Sequence, residues 1–516
     1  MLSKDALVAR IKADPLLPRP NPTATFWQEP PHPTVASIQS QELPSKTDIA
    51  IIGSGITGCS VAKALLEDPS LAGKTVTILE AREVTSSATG RNGGHLVSDC
   101  LESFALVSAT LGTDHAVEVA RFSLASMQRL RDVVAAFGGD LAEKSKIREV
   151  ISTSVLGDEE SLEEARVSLA AFEEALPDLK GMFVLLGKEE ATEVRYDRDM
   201  NRILATAFTK TNSNSFYGQK YNYCDLSGVV EQYGAGALWP YRLITGIFEI
   251  LLQKYPDRFS IESSTPVTAI SFSAESSEDP YPYRLTTPRG TISATKVIHC
   301  TNGHAAHLLP GLSGKLFPFR GTMSTQAAGK GFPNKGSSLS WNYVGKSIID
   351  PETGVWSYTL YYITQDPESG DIFIGGEKQK ADEVFVSDDT VLPPIPAQNL
   401  ATILPTIFRE GWNETAPEVK KMWSGIMGFT ADGLPLVGNL PENATGRAGK
   451  GEWIAAGYSG HGMDKSWLTG ESLAGMVSGK DVPAGFPRAY LLTDERLARL
   501  SADVFVENVF GQVSSD

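Results

Sequence analysis

The stretch TDIAIIGSGITGCSVAKALLEDPSLAGKTVTILEAREV, residues 47–84, constrains the fold more than any other part of the chain. Ile49, Ile51 and Ile52 form a short apolar run of the kind found in a parallel strand covered on both faces. Val61, Ala64 and Leu65 then recur at helical spacing, and Val76 and Ile78 open a second strand. Between strand and helix, Gly53, Gly55 and Gly58 have G-x-G-x-x-G spacing with Ser54, Ile56 and Thr57 among them. The first glycine makes a tight turn, the second lets main chain approach a pyrophosphate, and the third packs helix on strand; the helix N-terminus supplies free N–H groups and a positive dipole end. Glu80 ends the second strand, 27 positions after Gly53, where a carboxylate can accept both hydroxyls of a ribose and disfavours a 2′-phosphate. This βαβ unit predicts a dinucleotide site.

The choice of dinucleotide depends on the chain beyond Glu80. A nicotinamide enzyme continues with further βα units, whereas this chain leaves that pattern after Glu80 and enters TSSATGRNGGH. Near the other end, EWIAAGYSGHGMDKSWLTGESLAGMVSG repeats the order strand, glycine turn, helix, with the turn at Gly457 to Gly462. A second helix N-terminus there can stabilise the negative charge of a reduced flavin. Two glycine-lined helix starts suit FAD, one for its pyrophosphate and one for its isoalloxazine.

Elsewhere the pattern is mixed. Residues 1–46 carry seven prolines between Pro15 and Pro33, which excludes a long helix beyond about residue 14 and predicts an extended arm anchored by Phe26 and Trp27. Residues 103–176 read as helices around one strand, IREVISTSVLG, and 239–254 as a helix opened by Trp239 and Pro240. PVTAISFSA, YRLTT and TISATKVIHC read as strands, and 315–378 as an antiparallel sheet. The expected architecture is α/β (α+β): a Rossmann-like FAD-binding domain from 47–125, 228–312 and 420–482, a discontinuous substrate domain with an antiparallel sheet from 126–227 and 313–419, and a C-terminal extension, 483–516.

A net charge of −16 argues against nucleic acid or anionic lipid as partner. No run approaches the ~20 apolar residues of a membrane span, and neither a secretory signal nor, in Ser514, Ser515 and Asp516, a peroxisomal address is visible. Cys59, Cys100, Cys224 and Cys300 lack metal or redox spacing, so a reduced, cytoplasmic setting is expected, in which the sequons at Asn413 and Asn443 are chance.

IIGSGITGCSVAKAL…ILEA, ATGRNGGH, VIHCTNGHAA, GIMGFTADGLPLVG and AAGYSGHGM occur in this order. Together they resemble the FAD-dependent D-amino-acid oxidase superfamily, in the branch of glycine and sarcosine oxidases and γ-glutamylputrescine oxidoreductases, fungal members above all. The resemblance spans residues 47–482. It implies that Gly53, Ser54, Gly55, Ile56, Thr57 and Gly58 hold the pyrophosphate and Glu80 the adenosine ribose, with Ala81 and Arg82 in the same pocket. Thr89, Gly90, Arg91, Asn92, Gly93, Gly94 and His95 would run toward the flavin ring, the glycines letting main chain lie against it. Val267 would meet the adenine through its backbone, and Thr301, Asn302 and Gly303 would end a strand beside the cofactor. Gly428, Asp432, Gly433 and Leu434, with Gly460, His461, Gly462 and Met463, would surround the isoalloxazine and ribityl chain. The implied reaction oxidises the C–N bond of an amine or amino acid by hydride transfer to flavin N5, with imine hydrolysis and reoxidation by oxygen to give hydrogen peroxide.

The sequence departs from this pattern at one telling place. Sarcosine oxidases tether their flavin through a cysteine in the segment resembling IMGFTAD, and here Met427 stands there, so a noncovalent FAD is expected, with His95 the one candidate for attachment. His95 and His461 are the expected neighbours of the ring, and Arg320 or Arg91 could clamp a substrate carboxylate. Trp341, Tyr343, Tyr361 and Tyr362 are pocket walls or plain core. His299, His304 and His307 lack a cooperating carboxylate or cysteine pair, so no metal is expected. The competing readings are an NAD-linked dehydrogenase, which has no use for the second glycine turn, a noncatalytic cofactor-binding protein, and a biosynthetic flavoenzyme acting on a specialised metabolite. Substrate identity and oligomeric state are not encoded in any motif found.

Overall fold

The strand Lys46–Ile52 lies at the centre of an eight-stranded sheet, paired in parallel with Gly290–His299 on one side and Val76–Leu79 on the other. Phe259–Glu262 extends the parallel run beyond Val76–Leu79, Glu452–Ala456 extends it beyond Gly290–His299, and Leu436–Asn439 closes that edge antiparallel. Ala269–Phe272 and Tyr283–Thr287 form an antiparallel appendage on Gly290–His299. The computed structural model describes residues 3–192, 222–273, 280–376, 378–412 and 417–511; Asn413, the last residues Ser514 to Asp516 and segment 193–221 lie outside these.

The two helices announced by glycine turns, Ile56–Glu67 and Ser466–Val477, pack on each other beside this sheet. Their approach is close because Gly470 faces Ser60, whose hydroxyl donates to the Trp467 carbonyl at 2.5 Å. The tight turn before the first helix admits no other residue at Gly58, where a Cβ would fall 2.1 Å from the Gly53 carbonyl oxygen.

A second, nine-stranded and largely antiparallel sheet runs in the order Val419–Thr430, Leu316–Gln326, Ile372–Gly376, Leu360–Gln365, Leu339–Val344, Arg148–Leu156, Gly228–Ala237, His95–Leu96, with Phe183–Gly187 also on Gly228–Ala237. The expected antiparallel sheet of 315–378 is thus present, with one parallel pairing, Leu339–Val344 on Arg148–Leu156. Gly228–Ala237 and Val419–Thr430 fall in ranges that the sequence reading allots to the cofactor part, yet their ladders belong to this second sheet. Strand pairing over such separations leaves no local mark in the sequence. A small third sheet joins Ile348–Ile349, Val355–Ser357 and Lys378–Lys380.

The arm begins with a helix, Lys4–Lys12, that lays Leu7 and Ile11 on Val506 and Phe510 of the helix Ala502–Phe510. From residue 13 it runs without long regular structure. Trp27 stacks on Phe373 with ring centroids 4.2 Å apart, and its indole N–H donates to the Asn92 carbonyl at 2.5 Å. The arm is also tied at Asp389, 2% exposed, whose carbonyl accepts from Thr23 N–H at 2.8 Å. The Asp389 carboxylate meets Arg82 Nη1 at 3.0 Å and Arg91 Nε at 3.6 Å. Removing one partner of a buried ion pair leaves uncompensated charge. Asp389→Ala is therefore expected to cost about 3–5 kcal/mol, read as a lowered midpoint in urea or thermal unfolding of the full chain.

Candidate functional site

A cavity of about 590 Å³ is lined from both sheets. One end is built by the first βαβ unit: Gly53, Ser54, Gly55, Ile56, Thr57, Glu80 and Ala81 border it, with Val267 facing them. Glu80 is buried and shaped by its neighbours, Oε2 accepting Ser54 N–H at 2.9 Å and Ser54 Oγ–H at 2.6 Å, Oε1 accepting Arg82 N–H at 3.1 Å. Arg82 itself turns away from the cavity toward Asp389, because the buried carboxylate is its stronger partner. Gly58 likewise lies beneath the turn rather than on the cavity surface.

The loop after Glu80 carries the wall onward. Thr89 Oγ1 accepts from Ile56 N–H at 3.0 Å, and Thr89, Arg91, Asn92, Gly93 and His95 line the cavity, whereas Gly90 and Gly94 do not. The glycines here answer to the protein's own rings as well as to any ligand. A Cβ on Gly93 would lie 2.8 Å from the Tyr362 ring, and one on Gly94, whose φ is +71°, would lie 2.6 Å from the Leu238 carbonyl oxygen with Trp27 next to it. Arg91 is largely spent on protein groups: Nε donates to the Ser424 carbonyl at 2.6 Å and Nη2 to Thr23 Oγ1 at 2.7 Å, leaving Nη1 without a partner.

Thr301 and Asn302 border the cavity, and Asn302 Oδ1 accepts from Gly457 N–H at 2.9 Å, joining the two glycine-turn regions. Thr57 Oγ1 and the Tyr458 hydroxyl, 3.0 Å apart, join them again. Gly460, His461, Gly462 and Met463 form the opposite part of the wall. Several expected neighbours lie elsewhere. Gly303, in the short turn Asn302–His304, and Gly428, on Val419–Thr430, pack against each other behind the surface, a Cβ on Gly428 falling 2.4 Å from Asn302 Oδ1. Asp432, Gly433 and Leu434 make a turn gripped by Arg496, which meets the Asp432 carboxylate at 2.8 and 3.0 Å and the Leu434 carbonyl at 2.7 Å.

Arg320 is the clearest correction. Alternation along Leu316–Gln326 places Phe319, Gly321 and Met323 on the cavity face and Arg320 on the other, where Nη1 donates to the Asp388 carbonyl at 3.2 Å. Of the four aromatic residues read as wall or core, Tyr362 lines the cavity while Trp341 and Tyr361 are core and Tyr343 packs against that core. Of the rest of the aromatic wall, only Phe429 falls in a motif of the sequence, GIMGFTADGLPLVG: Phe319, Trp356, Tyr358 and Phe429 pack together, Phe319 on Phe429 with centroids 4.5 Å apart. The period-2 alternation that sends Arg320 away is the available signal for Phe319.

A charged cluster also escapes sequence reasoning. Lys465 Nζ donates to Asp99 Oδ1 at 2.5 Å and Asp464 Oδ2 at 2.9 Å, and Ser123 Oγ–H donates to the same Asp464 oxygen at 2.5 Å. Burial opposes the Lys465 charge, but Asp464 and Asp99 outweigh it and hold the ammonium protonated. Asp99, Asp464, Glu102 and His461 line the cavity, His461 Nδ1 lying 3.8 Å from Asp99. Helix starts at Cys100–Leu111 and Ser466–Val477 bring these residues together from chain positions far apart.

The three histidines of VIHCTNGHAAH each have separate partners: His299 pairs with Glu452 at 3.0 Å, His304 Nδ1 meets the Leu16 carbonyl at 3.1 Å, and His307 meets Asp14 at 3.0 Å. Burial pushes His304 down to about 4, and burial likewise pushes His95 down to about 4 against the adjoining Ile363 carbonyl. The four cysteines are free, and among the described residues no helix is long and apolar enough to cross a membrane.

The family described as "DAO: FAD dependent oxidoreductase" matches residues 48–476. Among curated proteins, TDA3 of Saccharomyces cerevisiae is 38% identical over 69 residues, 13% of this chain and 13% of that one. The two curated relatives matched are spanned over 13% and 19% of their own lengths. Among solved structures, glycine oxidase from Geobacillus kaustophilus superimposes with a TM-score of 0.60 at 20% identity, covering 87% of this chain and 99% of that one. L-Amino acid deaminase from Proteus vulgaris, with its specific insertion sequence deleted, gives 0.58 at 16% identity, covering 90% and 98%. At such identities the likeness is one of fold.

The buried histidines set an acid limit. Between their ordinary value of 6.5 and about 4, the unfolded chain binds protons that folded His95 and His304 refuse, so folding stability falls as pH is lowered through that window. His304→Gln is expected to flatten this limb, measured as the change in Tm between pH 7 and pH 4.5.

Proposed function

We propose that this chain, which belongs to the family of FAD-dependent oxidoreductases, oxidises the carbon–nitrogen bond of a small amine or amino acid. The observation that carries this reading is His95, a histidine kept neutral by burial on the wall of a cavity that both glycine turns border. A buried atom without a protein partner, Thr301 Oγ1, belongs to the same wall. The residues present fit FAD: the N-terminus of Ile56–Glu67 for the pyrophosphate, Glu80 for the adenosine ribose, Val267 at the adenine end, and Gly460 to Met463 at the ring end. When bound, FAD supplies the acceptor for a hydride from the substrate α-carbon, the imine being left to hydrolysis and oxygen being the final oxidant.

The protein's part is positioning. Burial keeps His95 neutral despite the Ile363 carbonyl beside it, so its ring meets an amine on the cavity wall without like charge. Burial pushes the Tyr362 hydroxyl up to about 12, so it stays protonated across the working range. Phe319, Trp356 and Phe429 keep water from the reacting carbon. His461, next to Asp99, orients the opposite side of the site.

FAD is held without a covalent bond: Met427 offers no thiol on the cavity wall, and denaturation in acid should release all the yellow colour into the supernatant. Glu80→Ala removes the ribose acceptor and the partner of Ser54, and is expected to weaken FAD binding by about 10- to 100-fold, measured by fluorescence titration of the apoprotein. The deciding experiment is anaerobic addition of primary amines, secondary amines and amino acids to purified holoprotein. Bleaching of the flavin band by one class is expected; a yellow protein that none of them bleaches overturns C–N oxidation, and a protein that binds no flavin overturns the whole reading. Because the neutral amine reacts and His95 titrates far below, bleaching should speed up about tenfold per pH unit below the substrate's own pKa and show no break near 6.5.

A further inference from the structure

We infer that the substrate is an aromatic or bulky apolar amine that carries no carboxylate. The inference rests on the amine-oxidation reading above and narrows it. Amino-acid oxidation needs a place for the substrate carboxylate, ordinarily a forked guanidinium with two free donors. Among the described residues, Arg91 is the one Lys or Arg on the cavity wall, and its fork is already committed to Ser424, Thr23 and Asp389, leaving Nη1 alone. Arg320 faces the other side of its strand.

The charges that do face the cavity near the second glycine turn are acidic. Asp99, Glu102 and Asp464 border it; burial pushes the Glu102 and Asp464 carboxyls up, while Lys465 behind them outweighs burial at Asp99 and keeps it ionised. Asp464 is 1% exposed and keeps Oδ1 without any protein partner, an acceptor left over behind the cavity wall. A carboxylate brought here finds no free cation among the described residues and meets the Asp99 carboxylate, whereas an ammonium finds three carboxyl groups to donate to.

The remaining wall specifies the rest of the molecule. Phe319, Trp356 and Phe429 present ring faces and edges beside Met427, a surface that rewards burial of an aryl or branched alkyl group and attracts a cation through the ring quadrupoles. A glycine-sized substrate leaves that surface wet. The amine enters as its cation, releases the proton to solvent, and reacts neutral.

Two measurements on holoprotein test this. In the first, 2-phenylethylamine and N-methyl-2-phenylethylamine are each compared with the matched amino acid, phenylalanine or N-methylphenylalanine, and with glycine and sarcosine, for anaerobic flavin reduction. The carboxylate-free members should reduce the flavin roughly 100-fold faster; equal or faster reduction by an amino acid overturns the inference while leaving amine oxidation standing. In the second, trimethyl(2-phenylethyl)ammonium, which has no N–H, and 3-phenylpropionate are titrated into oxidised holoprotein, reading the flavin spectrum and Tm. The cation should perturb the spectrum and raise Tm and the carboxylate should do neither; preference for the carboxylate, or no response to either, overturns the inference. If the cation binds but no amine is oxidised, the charge and shape of the site are upheld and the reaction is what fails.

Discussion

The buried Asp389 ties three parts of the molecule to one another. Its carboxylate stands between Arg82, at the end of the first βαβ unit, and Arg91, in the loop crossing to the second sheet, while its carbonyl takes Thr23 of the arm. A buried ion pair of this kind adds little net stability over an apolar substitute, but it strongly disfavours any arrangement in which one partner is missing. The glycine-rich loop, which would otherwise be free to sample many backbone conformations, is thereby set in one, with His95–Leu96 paired to Gly236 and Ala237. The two ends of the cavity, one bordered by each sheet, are held in register by that loop.

Packing around the loop follows from the same constraint. Trp27 fills the space beside Gly94 and stacks on Phe373, and Tyr362 fills the space beside Gly93, so arm, loop and second sheet are fitted to one another ring against backbone. The two glycine-turn helices meet through Gly470 and Ser60, which lets their N-termini approach a common cavity. Asn302, whose φ is +46°, ties the end of Gly290–His299 to Gly457.

The legible parts of the sequence are local. The strand, turn and helix from Lys46 to Glu67, Glu80, and the second turn before Ser466–Val477 are each written within one unbroken stretch of sequence, and their expected chemistry follows from glycine placement and one carboxylate. The illegible parts are set by pairing over long separations. Gly228–Ala237 and Val419–Thr430 carry no mark of the sheet they join, and neither Asp389 nor Lys465 sits in a pattern that names its partners. Arg320 misleads for a different reason: its residue type suggests a carboxylate clamp, while the alternation of its own strand assigns that face to Phe319. Asp432 and Leu434 are likewise claimed by Arg496, from the C-terminal segment.

The arm also imposes an order on biosynthesis. Thr23 and Asp389 are 366 residues apart. At the ribosome's pace of about 5–20 residues per second, Thr23 leaves the exit tunnel roughly 20–70 s before its partner exists. For more than half of that interval Phe26 and Trp27 lack Trp239, for nearly all of it they lack Phe373, and Glu452–Ala456, which extends the parallel run beyond Gly290–His299, is made later still. The nascent chain thus carries two aromatic anchors exposed long before their partners exist, and the first sheet is not complete until Glu452–Ala456 has emerged.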